Sequence, residues 1–385
     1  MTAQPAGGDV RKIWVLAALF SLLWILIGAV SLPHGRAHDF TYNYGAGRTI
    51  LEGRTGDLYK PTLVWGSERV AFDRPAVAAL LYVPFALLPL ETAFACYTAL
   101  WIVLLLICWR WGCRRYGPFA VLLAALFMPA TLGLAHAQDC VLYLALLIWS
   151  YSLAGREKPF AAGCAIGLMT LKFHLVLLWP VALIFQRRWK MLAGFAAASS
   201  LLAALSVAIV GIPGTREYIA ALLRPSPFSP SPAFQLSFTG MLANFGIDSI
   251  AVKGIGAAAI FALFLVGIRD TATARLYAVT TAASLTLVPH AYGYDAARLL
   301  LPIWLVYAHF EWPAAKVAAI VMATPFFYSF TLFGSPWAAA GSIAALTFLA
   351  VLAVAPDSGR WHSRREAPRA PGREGGNQPV ERPEG

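Results

Sequence analysis

Long apolar runs separated by short polar turns dominate this chain. Their continuity fits helices buried in an apolar medium, whereas strands would alternate apolar and polar positions. The first run, Ile13–Leu32, follows Arg11 and Lys12 and can cross a hydrocarbon core of about 30 Å. It exceeds the apolar core of a signal peptide, about 7–15 residues, and is expected to stay as an anchor. Further spans are expected at Thr92–Arg110, Phe119–Leu134, Val141–Ala154, Phe160–Leu171 and Phe173–Phe185. They continue with Met191–Gly211, Ile250–Ile268, Leu276–Pro289, Ala296–Phe310, Val317–Phe333 and Ala338–Ala355, for a total of about twelve. Pro75–Pro89 is short and proline-rich, and reads as an interfacial or re-entrant helix. The expected fold is all-α: a polytopic transmembrane helical bundle with juxtamembrane helices on its outer face.

The polar stretches set the organisation. Pro33–Arg74 is a large outer loop, in which GAGRTILEGRTGDLY predicts a short amphipathic helix ended by glycines and a turn. After Gly211, RPSPFSPSPAFQLSFTG favours extended backbone until about Ser237. From Pro356 the composition turns to Pro, Gly, Arg and Glu, which cannot offset the entropy of folding. The expected organisation is a cytoplasmic N-terminus over 1–12, a membrane domain over 13–355 with outer loop 33–74, and a disordered cytoplasmic tail over 356–385.

Composition sharpens this picture. With 59% hydrophobic and 13% charged residues, an ordinary soluble domain is excluded. The 30 Lys and Arg outnumber the 19 Asp and Glu, a balance that by itself suits nucleic acid. Their positions point elsewhere: Arg110, Arg114 and Arg115, then Arg156 and Lys158, then Arg187, Arg188 and Lys190 all follow apolar runs. This fits the positive-inside rule and cytoplasmic turns. The same threading puts Asp39, Ala135–Asp139, Lys172 and His290–Arg298 on the outer side. The five cysteines form no CxxC and read as small core residues.

Candidate chemistry gathers at that outer side. Asp39 lies just beyond the first span, where partial loss of water helps a carboxylate take a proton from a hydroxyl. Phe40, Tyr42 and Tyr44 beside it can line a sugar or lipid site, although a helix cap explains an aspartate there equally well. Lys172, with His174 two residues on, interrupts an apolar stretch and can pair with a phosphate or snorkel from a turn. In HAYGYDAAR, His290 can hydrogen-bond a substrate, Asp295 can orient it and Arg298 can hold an anion; a solvated turn is the plain alternative. His136, Gln138 and Asp139 in AHAQDC present the same choice. Motifs for nucleotide hydrolysis, zinc peptidases, serine hydrolases and dinucleotide binding are absent, and no spacing suggests a metal site.

Taken in order, DFTYNYGAGRTILEGRTGDLYKP, RPAVAALLYVPFALLP, AHAQD, AAGCAIGLMTLKFHLVLLWPVALIFQRRWK, QLSFTGML and PHAYGYDAARLLLP resemble glycosyltransferase family 87 over roughly Ile13–Ala355. These are GT-C-type membrane enzymes similar to the polyprenyl-phosphate-mannose-dependent α-mannosyltransferases. The resemblance implies a polyprenyl-phosphate sugar as donor, a lipid or glycan hydroxyl as acceptor, chemistry on the outer face of the cytoplasmic membrane, and no further cofactor. It carries the base onto Asp39, the phosphate-facing position onto Lys172 and His174, and an active-site histidine onto His290. This chain departs from the family pattern with Arg-Pro at Arg74–Pro75 in place of Tyr-Pro or Pro-Pro, with AQD in place of Gly-Gln-Asn, and with PHAYGYD in place of a Ser-Trp-His sequence. The expected reaction is a single inverting displacement. A polytopic transporter or lipid flippase is the alternative, and would call for charges at the membrane midplane or matched halves.

Overall fold

Prolines and glycines divide the apolar runs into shorter pieces than hydropathy alone would give. The computed structural model describes residues 11–12, 14–20, 22–23, 26, 38–223, 235–270, 272–288, 291–330 and 334–356. Of the expected first span, the described residues are helical, and Trp14 meets Trp109 with ring centroids 6.4 Å apart. The tail beyond 356, nearly all of segment 1–12, and His290 lie outside the described residues.

The described part of the expected outer loop holds α1 (His38–Leu51), followed by a hairpin of β1 (Leu63–Trp65) and β2 (Glu68–Val70). Sequence analysis placed no strand here. The strands pair antiparallel through Leu63↔Val70, Val64↔Arg69 and Trp65↔Glu68, too short a stretch for alternation to register. Gly66 in the turn has φ +61°, a conformation glycine adopts without cost. The stretch expected as a re-entrant helix forms two short helices, α2 (Ala76–Ala79) and α3 (Val83–Ala86). They pack on α1, where a Cβ at Gly47 would lie 2.8 Å from the Tyr82 carbonyl carbon.

The membrane portion starts with α4 (Leu90–Tyr116), α5 (Phe119–Leu126) and α6 (Met128–Ala135). The break at Phe127 follows from Pro129, which cannot donate to the carbonyl of Ala125 and crowds it. Next come α7 (Cys140–Gly155), α8 (Pro159–Leu168), a tight 3-10 stretch Met169–Val176 and α9 (Leu178–Phe185). Lys172 interrupts this run with non-helical φ −129° and ψ 69°. The long α10 (Trp189–Leu223) bends at Gly211, φ +69°, just before Pro213. The remainder comprises α11 (Phe238–Asn244), α12 (Ile250–Gly267), α13 (Thr273–Leu287), α14 (Leu300–His309), α15 (Pro313–Ala323), α16 (Phe326–Ser329) and α17 (Ala339–Val354).

The fold is an all-α, polytopic helical bundle. Among the described residues, four helical segments are long and apolar enough to cross a membrane: Leu90–Tyr116, Pro159–Val176, Trp189–Leu222 and Ile250–Gly267. The expected arrangement of about twelve spans would also draw on the first span, most of which lies outside the described residues, and on the shorter apolar helices. These shorter helices pack against the four segments, and α13 runs through the middle with every residue from Ala274 to Thr286 buried. By contrast only 11% of the most apolar window of Trp189–Leu222 is buried, so that helix presents most of its apolar side chains outward from the bundle. Buried Arg275 donates to the carbonyls of Gly267, Ala353 and Ala355, supplying partners to the C-terminal ends of α12 and α17.

Helices α8 and α10 approach closely because small residues line their contact. Gly163 leaves no room for a Cβ beside the Met191 carbonyl oxygen, Gly194 none beside that of Phe160, and a Cβ at Gly167 would lie 2.6 Å from the Phe195 oxygen. This crossing fixes the helix that carries Lys172. Gly163→Val should therefore lower stability by about 1–3 kcal/mol through forced separation of the backbones. Gly254→Ala, whose Cβ meets nothing within 4 Å, should leave melting of the detergent-solubilised protein unchanged; equal melting temperatures for both variants would refute this reading.

Candidate active site

Asp39 occupies the first turn of α1, where the helix dipole favours a carboxylate. The helix is locked in place by its neighbours. Phe40 is fully buried against the rings of Tyr44, Phe94 and Tyr97, with centroids 5.9, 5.4 and 4.9 Å away. Asn43 Nδ2 donates to the Asp39 carbonyl at 2.7 Å, and the Tyr42 hydroxyl donates to Asp73 Oδ1 at 2.8 Å while accepting from the Asp73 amide at 2.6 Å. Tyr44, expected to contact substrate, donates its hydroxyl to the Leu88 carbonyl at 2.8 Å.

A chain of polar contacts leads inward from Asp39. Gln138 Nε2 donates to Asp39 Oδ2 at 2.6 Å, and Gln138 Oε1 accepts from Arg74 Nη2 at 3.4 Å. Arg74 Nη1 donates to Asp139 Oδ2 at 2.6 Å, and the same carboxylate oxygen accepts from the Tyr143 hydroxyl at 3.2 Å. Burial opposes the charge on Arg74, but Asp139 together with Tyr82, Tyr143 and Asp73 outweighs it and holds the guanidinium protonated. His136, one turn residue away, is pushed down by burial and only partly raised by Asp39, so it is neutral at ordinary pH.

A second cluster surrounds Lys172. Its ammonium donates to Asp295 Oδ1 at 2.5 Å, and Asp295 Oδ2 accepts from the Tyr292 amide at 3.0 Å, closing the first turn of the 3-10 segment Gly293–Leu299. Burial raises the Asp295 carboxyl, but Lys172, His174 and the Tyr292 amide outweigh it and hold the carboxyl below its ordinary value. Arg298 donates through Nη1 to the Leu175 carbonyl at 2.7 Å and through Nε to the Asp295 carbonyl at 3.3 Å, tying the broken helix to the segment after α13. Its Nη2, like His174 Nε2, is buried with no hydrogen-bond partner.

Tyr294 joins the two clusters. Lys172 Nζ lies 5.0 Å from its ring centroid, and the His136 ring centroid lies 5.9 Å from it. Burial and the carboxylates of Asp295 and Asp39 push its hydroxyl well up, so it stays protonated. Gly133 makes room for this arrangement, because a Cβ there would overlap Cys140 Sγ and come within 3.7 Å of Tyr294 Cβ. One pole thus carries Arg74 against two carboxylates, Asp39 and Asp139. The other carries Lys172 and Arg298 against one, Asp295. Chemically, the first pole can take a proton and the second can hold an anion.

Sequence reasoning named Asp39, Gln138, Asp139, Lys172, His174, Asp295 and Arg298, but gave no role to Arg74, Tyr82, Tyr143 or Tyr294. A signal for Arg74 was present. Arg74 and Asp139 are both departures from the family pattern, and in the fold each is the other's partner. Among the described residues no group of three or more His, Cys, Asp or Glu is placed to hold a metal ion.

The family model for glycosyltransferase family 87 matches residues 74–291, more than half of the chain. The chain belongs to glycosyltransferase family 87. Membership supports a glycosyltransferase-type role, and it covers Arg74, Gln138, Asp139, Lys172, His174 and His290. Asp39, Asp295 and Arg298 lie outside the matched segment, so for them the site geometry is the argument. No curated protein and no solved structure matches this family 87 chain.

The Lys172–Asp295 pair has a definite pH signature. Because the folded carboxyl is held low, its contribution is complete above the unfolded value of about 4 and disappears as pH falls through the lower folded value. Asp295→Asn should cost about 3–5 kcal/mol near neutral pH, since it leaves a buried ammonium unpaired. Tryptophan-fluorescence melts should show the gap to wild type closing only below about pH 4. A gap that closes on raising the pH would contradict the assignment.

Proposed function

We propose that this chain transfers a hexose, mannose being the sugar the resemblance implies, from a polyprenyl-phosphate donor to a hydroxyl of a lipid or glycan acceptor. The observation that carries this reading is the pairing of a negative pole at Asp39 with a positive pole at Lys172, bridged by Tyr294 and His136. Displacement at an anomeric carbon needs both, and no nucleotide-binding loop is required for a lipid-linked donor.

In this mechanism the acceptor oxygen attacks the anomeric carbon as its proton passes to Asp39. The bond from that carbon to the phosphate oxygen breaks, its electron pair leaves with polyprenyl phosphate, and the anomeric configuration inverts. Negative charge accumulates on the departing phosphate. Lys172 retains donors beyond the one given to Asp295, and Arg298 Nη2 and His174 Nε2 offer two more. Gln138 and Asp139 support the base, while His290, Asp295 and Tyr44 belong to the surrounding substrate-binding shell.

Two further features support a lipid-linked donor and an outer-face site. An apolar cavity of about 400 Å³ runs between Pro75, Phe173, Leu202, Val210, Tyr218 and Leu222, so its wall follows directly on Arg74 and Lys172 along the chain. It lies along lipid-facing α10, where an isoprenoid chain can enter from the bilayer. The basic turns Arg114–Arg115, Arg156–Lys158 and Arg187–Lys190 close the helix ends opposite those that bear Asp39, Asp139 and Lys172, which supports cytoplasmic termini and an outward-facing site.

The test is transfer from radiolabelled polyprenyl-phosphate mannose into membrane lipids at matched expression. Asp39→Asn keeps the shape and an oxygen for Gln138 but cannot take the proton, and should cut transfer by about 10²–10⁴-fold without loss of membrane insertion. Equal labelling by both proteins would remove Asp39 as the base.

A further inference from the structure

Gln138 donates to Asp39, yet an amide can present either its oxygen or its NH2 to a given neighbour. Arg74 removes that freedom. Its guanidinium only donates, so it demands Oε1 of Gln138, and the carboxylate of Asp39 only accepts, so it demands Nε2. The reversed amide would set NH2 against guanidinium and oxygen against carboxylate, unfavourable at both ends. Arg74 can enforce this only because it is itself immobile. It is 7% exposed, bound at 2.6 Å to Asp139, and carried by the segment whose Asp73 is clasped by Tyr42 of α1. Asp139 in turn is 1% exposed and held by Tyr143.

We infer that Arg74 is a positioning residue, which by bridging Asp139 and the Gln138 amide oxygen orients Gln138 to donate to Asp39 and so sets the direction in which the base faces its substrate. This inference rests on the glycosyl-transfer reading. Lysine at position 74 would keep a positive charge beside Asp139, but as a single point it lacks the planar fork that reaches both partners. Leucine at position 138 would remove the donor to Asp39 while leaving the Arg74–Asp139 ion pair in place.

The experiment measures the pH dependence of transfer for wild type, Arg74→Lys and Gln138→Leu, using a panel of radiolabelled polyprenyl-phosphate hexoses and solubilised protein of verified melting temperature. Both variants should lose about 10- to 100-fold in kcat with donor KM within about twofold, and the acidic limb of the kcat profile should move upward by about one pH unit, because a carboxylate deprived of a donor keeps its proton longer. A purely structural role would lower melting temperature and active fraction while leaving the limb in place. Active wild type with unmoved limbs in both variants would overturn this inference alone. Wild type inactive with every donor in the panel would overturn the glycosyl-transfer reading, and the positioning role with it.

Discussion

An ammonium buried in a membrane-embedded bundle must find a carboxylate, and the contact between Lys172 and Asp295 at 2.5 Å meets that demand. Its consequences spread through the fold. Lys172 sits at the non-helical break in its segment, and Arg298 holds the same break by donating to the Leu175 carbonyl. Asp295 closes a 3-10 turn through the Tyr292 amide, which places Tyr294 beside the Lys172 and His136 side chains. The tight glycine-lined crossing of α8 and α10 then supports the broken segment from the side. One ion pair therefore couples a helix break, a turn and an aromatic bridge.

Much of the fold was legible because burial in lipid leaves continuous apolar runs. Helices α4, α7, α12, α13 and α17 fall within a few residues of the expected spans. Hydropathy failed where local backbone chemistry prevailed: Pro129 splits one expected span at Phe127, whereas the expected end of another at Gly211 coincides with the bend in α10. It also missed the hairpin at Leu63–Val70, since strands of three residues carry no usable period. Helices shorter than a bilayer's thickness have no separate hydropathy signature when they pack inside other helices, so an apolar run does not by itself report the length of the helix it forms.

The candidate site was legible as a set of addresses but not as a network. Asp39 and Lys172 stand out because charges are rare beside apolar runs. Their partners do not, because Gln138 is 99 positions from Asp39 and Asp295 is 123 from Lys172. Nothing in local spacing reports such pairings. Arg74 illustrates the limit: a buried guanidinium needs a carboxylate, and Asp139, 65 positions away, meets that need only after folding.

The separation of charge across the site bears on how charge on an acceptor and on a leaving group could be met at once. A donor phosphate entering beside Lys172 and Arg298 would balance the positive charge that Asp295 leaves over, while the acceptor hydroxyl would meet the negative pole at Asp39. Direct contact between the poles would neutralise both. Tyr294, whose hydroxyl stays protonated, and neutral His136 contribute uncharged rings beside the two clusters. Their spacing is therefore as much a part of the proposed chemistry as the charges, because each pole keeps its field for the substrate only while the other is held at a distance.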